Sequence, residues 1–515
     1  MWGPVGAAVT LIAVVGAAGG EANVGVQSRV ADVAWLPVGT AMAALGAVLT
    51  VTSGGYGYHR DELYFRMLPP QWGYVDQPPL TPLLVRAMSA VADEVWAIRV
   101  PATLAAVATA LLVALVAREV GGGRFAQGLA AWGYAFAAFP LIFGHLTLTS
   151  AVDDLAWVAL LLCIVRARLR PDPRYWLAVG GVAGLATYNK LLIAVLLLSL
   201  GVALLTLGPR RLPWRWVAGG LLVAALLALP TLIYQAATGW PQLTMSRTLS
   251  ARHGGEVRVL LWPMLLILLG PFLVPVWVAG LVALWRRREW QPVRFLAGAF
   301  LVLLLLTAGS GGQFYYPLGL LCVLYAIGTV PVADWVSRVR PGRRRLVVAG
   351  VAVNSVVAAV IALPIIPLSV LGSTPLPGLN QAVPDQVGWP AYVQQVASVY
   401  ASLPPAERQA AAVVTSNYGE AGAIARFGEP LGLPPALSGQ NELYFQARPP
   451  QQRSVLVVVG RGAAAVAGRN AQCEVVARLD NGVHVNNEEQ DQPVSVCREP
   501  ALPWSVVWPQ FQHYD

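Results

Sequence analysis

Lysine is almost missing from this chain: of its 35 basic residues all but Lys190 are arginine. A GC-rich genome accounts for arginine in general, so the single lysine calls for its own explanation. Charge of either sign is scarce, at 12% of residues against about a quarter in a soluble domain, while 56% are hydrophobic. That balance excludes a single soluble core. With only four cysteines the chain is no disulfide scaffold. It also lacks an internal repeat, a low-complexity tract and a nucleotide loop. The glycines of Gly309–Gly312 have neither the strand before them nor the helix after them that a phosphate-cradling loop needs.

What is present is a regular alternation. Arginine clusters stand at Arg118/Arg124, Arg166/Arg168/Arg170/Arg174, Arg210/Arg211/Arg215, Arg286/Arg287/Arg288 and Arg338/Arg340/Arg343/Arg344/Arg345, each separated from the next by two apolar stretches. Arginine-rich short loops face the cytoplasm, so the net charge of +9 is a topology signal. Spread in this way, it forms no stripe for nucleic acid, which is excluded as a partner. The intervening loops, which hold most of the useful acids, are then placed on the outer face.

Apolar segments near 34–53, 95–117, 126–145, 153–165, 175–189, 191–207, 216–235, 258–284, 293–308, 316–333 and 346–367 predict about eleven crossings of a cell membrane. Residues 5–20 make a further apolar stretch, either a twelfth crossing or an interfacial segment. The segments 153–165 and 175–189 are short, which is tolerated where a helix lines a protein cavity. An odd count starting inside exports everything after residue 367. The expected division is therefore a membrane domain over 1–367, with an outer loop at 54–94, and a small extracytoplasmic α/β domain over 368–515. In that tail Ala410–Thr415 and Val455–Val459 read as strands, Pro390–Ser402 as a helix, and 417–422 as a loop opening another helix. If the tail is exported, Cys473 and Cys497 are free to pair, whereas Cys163 and Cys322 lie in apolar spans as packing residues.

Four groups of residues could carry chemistry. The first outer loop holds His59-Arg60-Asp61-Glu62 with Tyr64, then Asp76 and Gln77; adjacent carboxylates beside Arg and His can supply a general base and ligands for sugar hydroxyls. The bland alternative is a solvated loop with acids at a helix N-terminus. Asp153 and Asp154 stand near the hydrocarbon boundary, where a carboxylate is costly unless hydrated, paired or facing a cavity. Arg99 and Lys190 either snorkel to lipid head groups or reach a phosphate at the interface. Finally, an expected loop over 236–258 carries His253 and a later hairpin carries Tyr315 and Tyr316. His253 could serve as acid or base; a lone loop histidine is more often a surface residue.

The runs His59-Arg60-Asp61-Glu62-Leu63-Tyr64-Phe65 and Gly73-Tyr74-Val75-Asp76-Gln77-Pro78-Pro79-Leu80 resemble the first outer loop of bacterial GT-C glycosyltransferases of the protein O-mannosyltransferase and aminoarabinose transferase superfamily, family 39-like. The likeness continues in order through Arg99-Val100-Pro101, the Asp153 segment, Tyr188-Asn189-Lys190-Leu191 and Gln313-Phe314-Tyr315-Tyr316-Pro317. The family's lysine turn often reads Lys-Tyr, where this chain has Tyr-Asn-Lys. The resemblance implies an inverting transfer of a sugar from a polyprenyl-phosphate donor to a hydroxyl on a glycan, lipid or protein acceptor outside the membrane. It implies Asp61 as catalytic base, with Glu62 and Asp153 orienting hydroxyls. Arg99, Lys190 and Arg60 would bind the donor phosphate, and His59, Tyr64, Asp76, Gln77, His253, Tyr315 and Tyr316 would line the substrate site. No cofactor is required with certainty. A divalent metal could be held by Asp61, Glu62, Asp153 and His253, but no tight spacing marks a metal site and the resemblance favours metal independence.

A transporter or flippase of lipid-linked sugars is the competing reading, and a third is an accessory membrane protein whose tail binds a partner. Transporters usually show repeated halves and polar residues at mid-membrane. Here the polar set lies at one face without a repeat, which favours the enzyme.

Overall fold

The computed structural model describes residues 30–209, 211–338, 342–451 and 453–514. The apolar stretch 5–20, Arg210 and Arg340 lie outside them. Five single helices are long and apolar enough to cross a bilayer: Trp35–Thr52, Val95–Glu119, Trp214–Ala237, Leu318–Ser337 and Gly342–Ala362. Two bent pairs extend the set, Arg124–Ala135 with Ala138–His145 and Gly254–Ile267 with Pro271–Arg286. Shorter apolar helices occupy Tyr175–Ala186, Ile193–Leu207 and Phe295–Ser310. The chain is a polytopic helical membrane protein.

Three expectations are corrected. The segment 258–284 is not one straight helix: it bends by 71° at Gly270, whose φ of 101° only glycine adopts freely. The expected loop over 236–258 is mostly the start of a 27-residue helix, Pro241–Ile267. Its polar residues and the Gly254-Gly255 pair disguised it, but Pro241 at the first helical position starts a helix well. The segment expected over 153–165 runs from Thr149 to Leu169, 21 residues or about 30 Å at 1.5 Å per residue. Asp153 and Asp154 therefore lie in its second turn, not at its start, and Asp154 accepts from the Tyr134 hydroxyl at 2.8 Å instead of capping the helix.

Close helix contacts use glycine. A Cβ on Gly180 would lie 1.9 Å from the Gly220 carbonyl oxygen, and one on Gly328 would lie 1.8 Å from that of Val276. Small residues let backbones approach where no water drives helices together. At the arginine end, buried Glu119 gathers Arg166 at 2.9 Å, Arg170 at 2.7 Å and Arg118 at 3.7 Å. The 149–169 helix thus carries Asp153 near one end and Arg166 and Arg168 near the other.

The tail is built on a five-stranded sheet of order β2-β1-β3-β5-β4, with β1 Ala411–Thr415, β2 Ala436–Ser438, β3 Val455–Val459, β4 Gln472–Arg478 and β5 Pro493–Arg498. β1 runs parallel to β2 and β3, and β5 runs antiparallel to β3 and β4. β1 and β3 are buried throughout, as apolar runs in a covered sheet must be. Cys473 and Cys497 are direct cross-strand partners and are bonded to each other. The helices Trp389–Ser402 and Tyr418–Phe427 pack on one side of this sheet, and beyond them one continuous apolar cluster takes in Tyr58, Leu63, Tyr64 and Phe65 from the 54–94 segment. The loop and the tail share a core.

Candidate active site

The sequence His-Arg-Asp-Glu folds as a helix start. His59 is the N-cap of helix Arg60–Met67: its Nδ1 accepts from the Asp61 amide at 3.2 Å, and Glu62 Oε2 accepts from the His59 amide at 2.8 Å. This reciprocal box satisfies donors that a helix start leaves open. The two acids sit in the first turn, where the helix dipole favours negative charge. His59 Nε2 faces Asp385 of the tail at 3.7 Å.

Adjacent though they are, the two acids have separate surroundings. Glu62 is fully buried and paired with Arg99, which is equally buried, at 2.9 Å. Arg99 also donates to the carbonyls of Ser53 at 2.6 Å and Gly57 at 2.7 Å, and to Gln386 Oε1 of the tail at 3.1 Å; His145 Nε2 lies 3.1 Å from its Nη1. Glu62 Oε1 further accepts from the Thr147 amide at 3.0 Å. This pair is saturated by protein groups and ties the Asp61 helix to two membrane helices. Arg99 neither snorkels nor presents a free donor.

Asp61 is half-buried and accepts from the Tyr418 hydroxyl at 2.8 Å. Tyr418 opens the tail helix Tyr418–Phe427, which is capped reciprocally by Asn417 and Glu420. Its ring lies against that of Tyr64, centroids 4.7 Å apart, and the Arg60 guanidinium lies over it at 5.0 Å. Arg60 also pairs with Glu488. The Tyr64 hydroxyl donates to Asp76 Oδ1 at 3.2 Å. Loss of solvation pushes the Asp76 carboxyl up to about 7, with Glu442 adding to the effect; Glu442 accepts from the Val75 amide at 3.0 Å. Two touching tyrosines, one from the loop and one from the tail, thus each serve a different carboxylate. Gly422 permits this approach, since a Cβ there would lie 2.8 Å from the backbone of Leu63.

Lys190 is set by the Tyr188-Asn189-Lys190 turn. Asn189 Oδ1 accepts from Thr81 at 2.6 Å, its Nδ2 donates to the Thr149 carbonyl at 2.8 Å, and the Tyr188 carbonyl accepts from the Leu80 amide at 2.8 Å. Asn189 is thereby buried at the meeting of the first loop, the Asp153 helix and the lysine turn. The Lys190 Nζ lies over the rings of Tyr315 at 5.5 Å and Tyr316 at 5.0 Å, in range of a cation–π attraction. Asp153, Asp154, Tyr315 and Tyr316 line one small cavity with Phe143 and Trp157, and Asp153 Oδ1 is buried without a hydrogen-bond partner.

Lys190 and Asp153 therefore meet at Tyr315 and Tyr316, while Asp61 is joined to His59 and Tyr418, and through the Tyr418 ring to Arg60 and Tyr64. Gln77 is buried nearby in sequence, its Nε2 unpartnered. His253 falls within helix Pro241–Ile267, and its side chain is outside the description. Among the described residues no group of three or more His, Cys, Asp or Glu is placed to hold a metal, and Glu62 is committed to Arg99. Sequence reasoning missed Tyr418, Gln386, Asp385, Glu442 and Glu488. All belong to the tail; the Asn417 to Glu420 capping box was readable, but the bond from Tyr418 to Asp61 across 357 positions was not.

Residues 76–234 match the family model described as dolichyl-phosphate-mannose-protein mannosyltransferase. That stretch holds Arg99, Asp153 and Lys190. The structure is similar to ArnT from Cupriavidus metallidurans bound to undecaprenyl phosphate, with a TM-score of 0.59 and 16% identity, covering 89% of this chain and 97% of that one. The apo form of the same protein gives 0.56 and 14% over the same shares. No curated protein sequence matches the chain significantly. Sharing the ArnT-like GT-C fold over most of its length, the chain resembles the glycosyltransferases of the protein O-mannosyltransferase and aminoarabinose transferase superfamily.

Proposed function

We propose that the chain transfers a sugar from a polyprenyl-phosphate donor to an acceptor hydroxyl at the extracytoplasmic face, with inversion. Asp61 takes the proton of the attacking hydroxyl, the hydroxyl oxygen bonds to the anomeric carbon, and the bond from that carbon to the phosphate oxygen breaks. Lys190, held between Tyr315 and Tyr316, meets the leaving phosphate, where a cation stabilises developing charge. Asp153, with an oxygen free in the adjoining cavity, orients a sugar hydroxyl. Glu62 and Arg99 act by holding the Asp61 helix, a role that replaces direct contact with substrate. The tail from about residue 368 is taken as the exported domain.

The observation that carries this reading is that Lys190 and Asp153, from separate segments, meet at Tyr315 and Tyr316, with Asp153 at the end of helix Thr149–Leu169 opposite Arg166 and Arg168. The fold shared with ArnT, whose structure holds undecaprenyl phosphate, supports the donor class. The test is turnover in nanodiscs of wild type and Asp61→Asn with radiolabelled polyprenyl-phosphate mannose, arabinose and aminopentose and a membrane extract as acceptor. Transfer by wild type that collapses in the variant is expected. Neither turnover nor binding of any lipid-linked sugar would move the weight to transport or partner binding.

A further inference from the structure

A general base must hold a hydrogen bond from the hydroxyl it deprotonates. One of the two Asp61 carboxylate oxygens already holds such a bond: Oδ1 accepts from the Tyr418 phenol at 2.8 Å. The bond is of the same kind an acceptor hydroxyl would make, an O–H donor on a carboxylate oxygen. It is also well supported. The Tyr418 amide donates to Gln440 Oε1 at 2.6 Å, its ring rests on Tyr64 and beneath Arg60, and Asn417 and Glu420 cap the helix it begins. Asp61 itself is only partly buried, so an incoming hydroxyl has a side from which to compete.

We propose that Tyr418 is a positioning residue contributed by the tail, whose hydroxyl occupies Asp61 until an acceptor hydroxyl displaces it and so keeps the base from activating water. This rests on the glycosyl-transfer reading above. The reaction it suppresses is donor hydrolysis: the oxygen of water bonds to the anomeric carbon, its proton passes to Asp61, and the carbon to phosphate-oxygen bond breaks with the electron pair leaving on polyprenyl phosphate. The products are free sugar and the lipid phosphate. A site at the membrane surface is open to water, and a phenol at the base discriminates between water and an acceptor that brings further contacts with which to displace it. The arrangement couples the soluble tail to the chemistry of the membrane part.

The experiment uses the full chain in nanodiscs with the same donor panel, with and without membrane extract, and measures both transferred and free sugar. Tyr418→Phe keeps the ring and removes the hydroxyl; the ratio of free to transferred sugar is expected to rise about three- to tenfold, the scale set by one charge-assisted hydrogen bond at a partly buried site. Gly422→Val, which forces the Tyr418 helix away from Leu63, is expected to raise the same ratio. Binding of undecaprenyl phosphate by Tyr418→Phe at wild-type affinity checks that the fold is intact. If transfer and hydrolysis fall together at a constant ratio in both variants, Tyr418 is structural and the proposal is overturned while an Asp61-dependent transferase stands. If wild type turns over no donor, or Asp61→Asn keeps full turnover, the glycosyl-transfer reading fails and this proposal with it.

Discussion

Arg99 Nη2 and Glu62 Oε2 stand 2.9 Å apart with neither side chain exposed, one residue along from the proposed base. Removing one member of a buried pair leaves the other charged and unpaired, at a cost of about 3–5 kcal/mol. Glu62→Gln and Arg99→Met are each expected to lower the stability of the solubilised protein by that order. The double variant Glu62→Leu/Arg99→Met should recover part of the loss. Unfolding curves decide it, and single variants as stable as wild type would show that the pair does not tie the loop to the bundle.

Gly180 and Gly220 bring the helices Tyr175–Ala186 and Trp214–Ala237 into backbone contact. Gly180→Ala is expected to cost about 1–3 kcal/mol, as overpacking does, whereas Gly181→Ala, which faces open space, should be neutral. Melting temperatures of the two variants measure the difference, and equal losses would refute the contact.

Lys190 owes its place to Asn189, which bonds to both Thr81 and Thr149. Lys190→Met is expected to weaken undecaprenyl phosphate binding about tenfold or more, as the loss of one charge-assisted contact implies. Asn189→Ala should weaken it by a smaller factor, since the turn loosens while the ammonium remains. Titration of the lipid phosphate into nanodisc-held protein tests both; unchanged affinity in Lys190→Met would remove the lysine from the phosphate.

Glu489 is buried beside Asn417, whose side chain donates to it at 3.1 Å. Loss of solvation pushes its carboxyl from 4.5 up to about 7; Arg60 opposes this, while Glu488 and Asp385 add to it. Between those values the folded protein holds a proton that the unfolded chain has released, so stability falls as pH rises through the window. The melting temperature is expected to drop from about pH 5 to about pH 8, and to drop less in Glu489→Gln. Parallel profiles for the two proteins would contradict the assignment.

Much of the fold was legible in the sequence because a bilayer imposes it. Apolar length marks the spans, arginine marks one end, and β1 and β3 show as apolar runs of strand length. The errors arose where tertiary context overrode a local signal. Polar residues disguised the helix beginning at Pro241, and Gly270 broke an apolar run that read as continuous. The pairing of Arg99 with Glu62 was hidden for a similar reason: burial and partners decide which side chain a charge meets, and neither can be read from position.

The sequence by itself determined a polytopic chain with a small sheet-bearing tail, because hydropathy and strand patterning act over a few residues. Only the tertiary structure decided that Asp61 meets Tyr418 while Glu62 is shut away with Arg99. Neighbouring positions on a helix point about 100° apart. Which of them faces the tail and which the membrane helices is settled by packing between segments hundreds of residues apart.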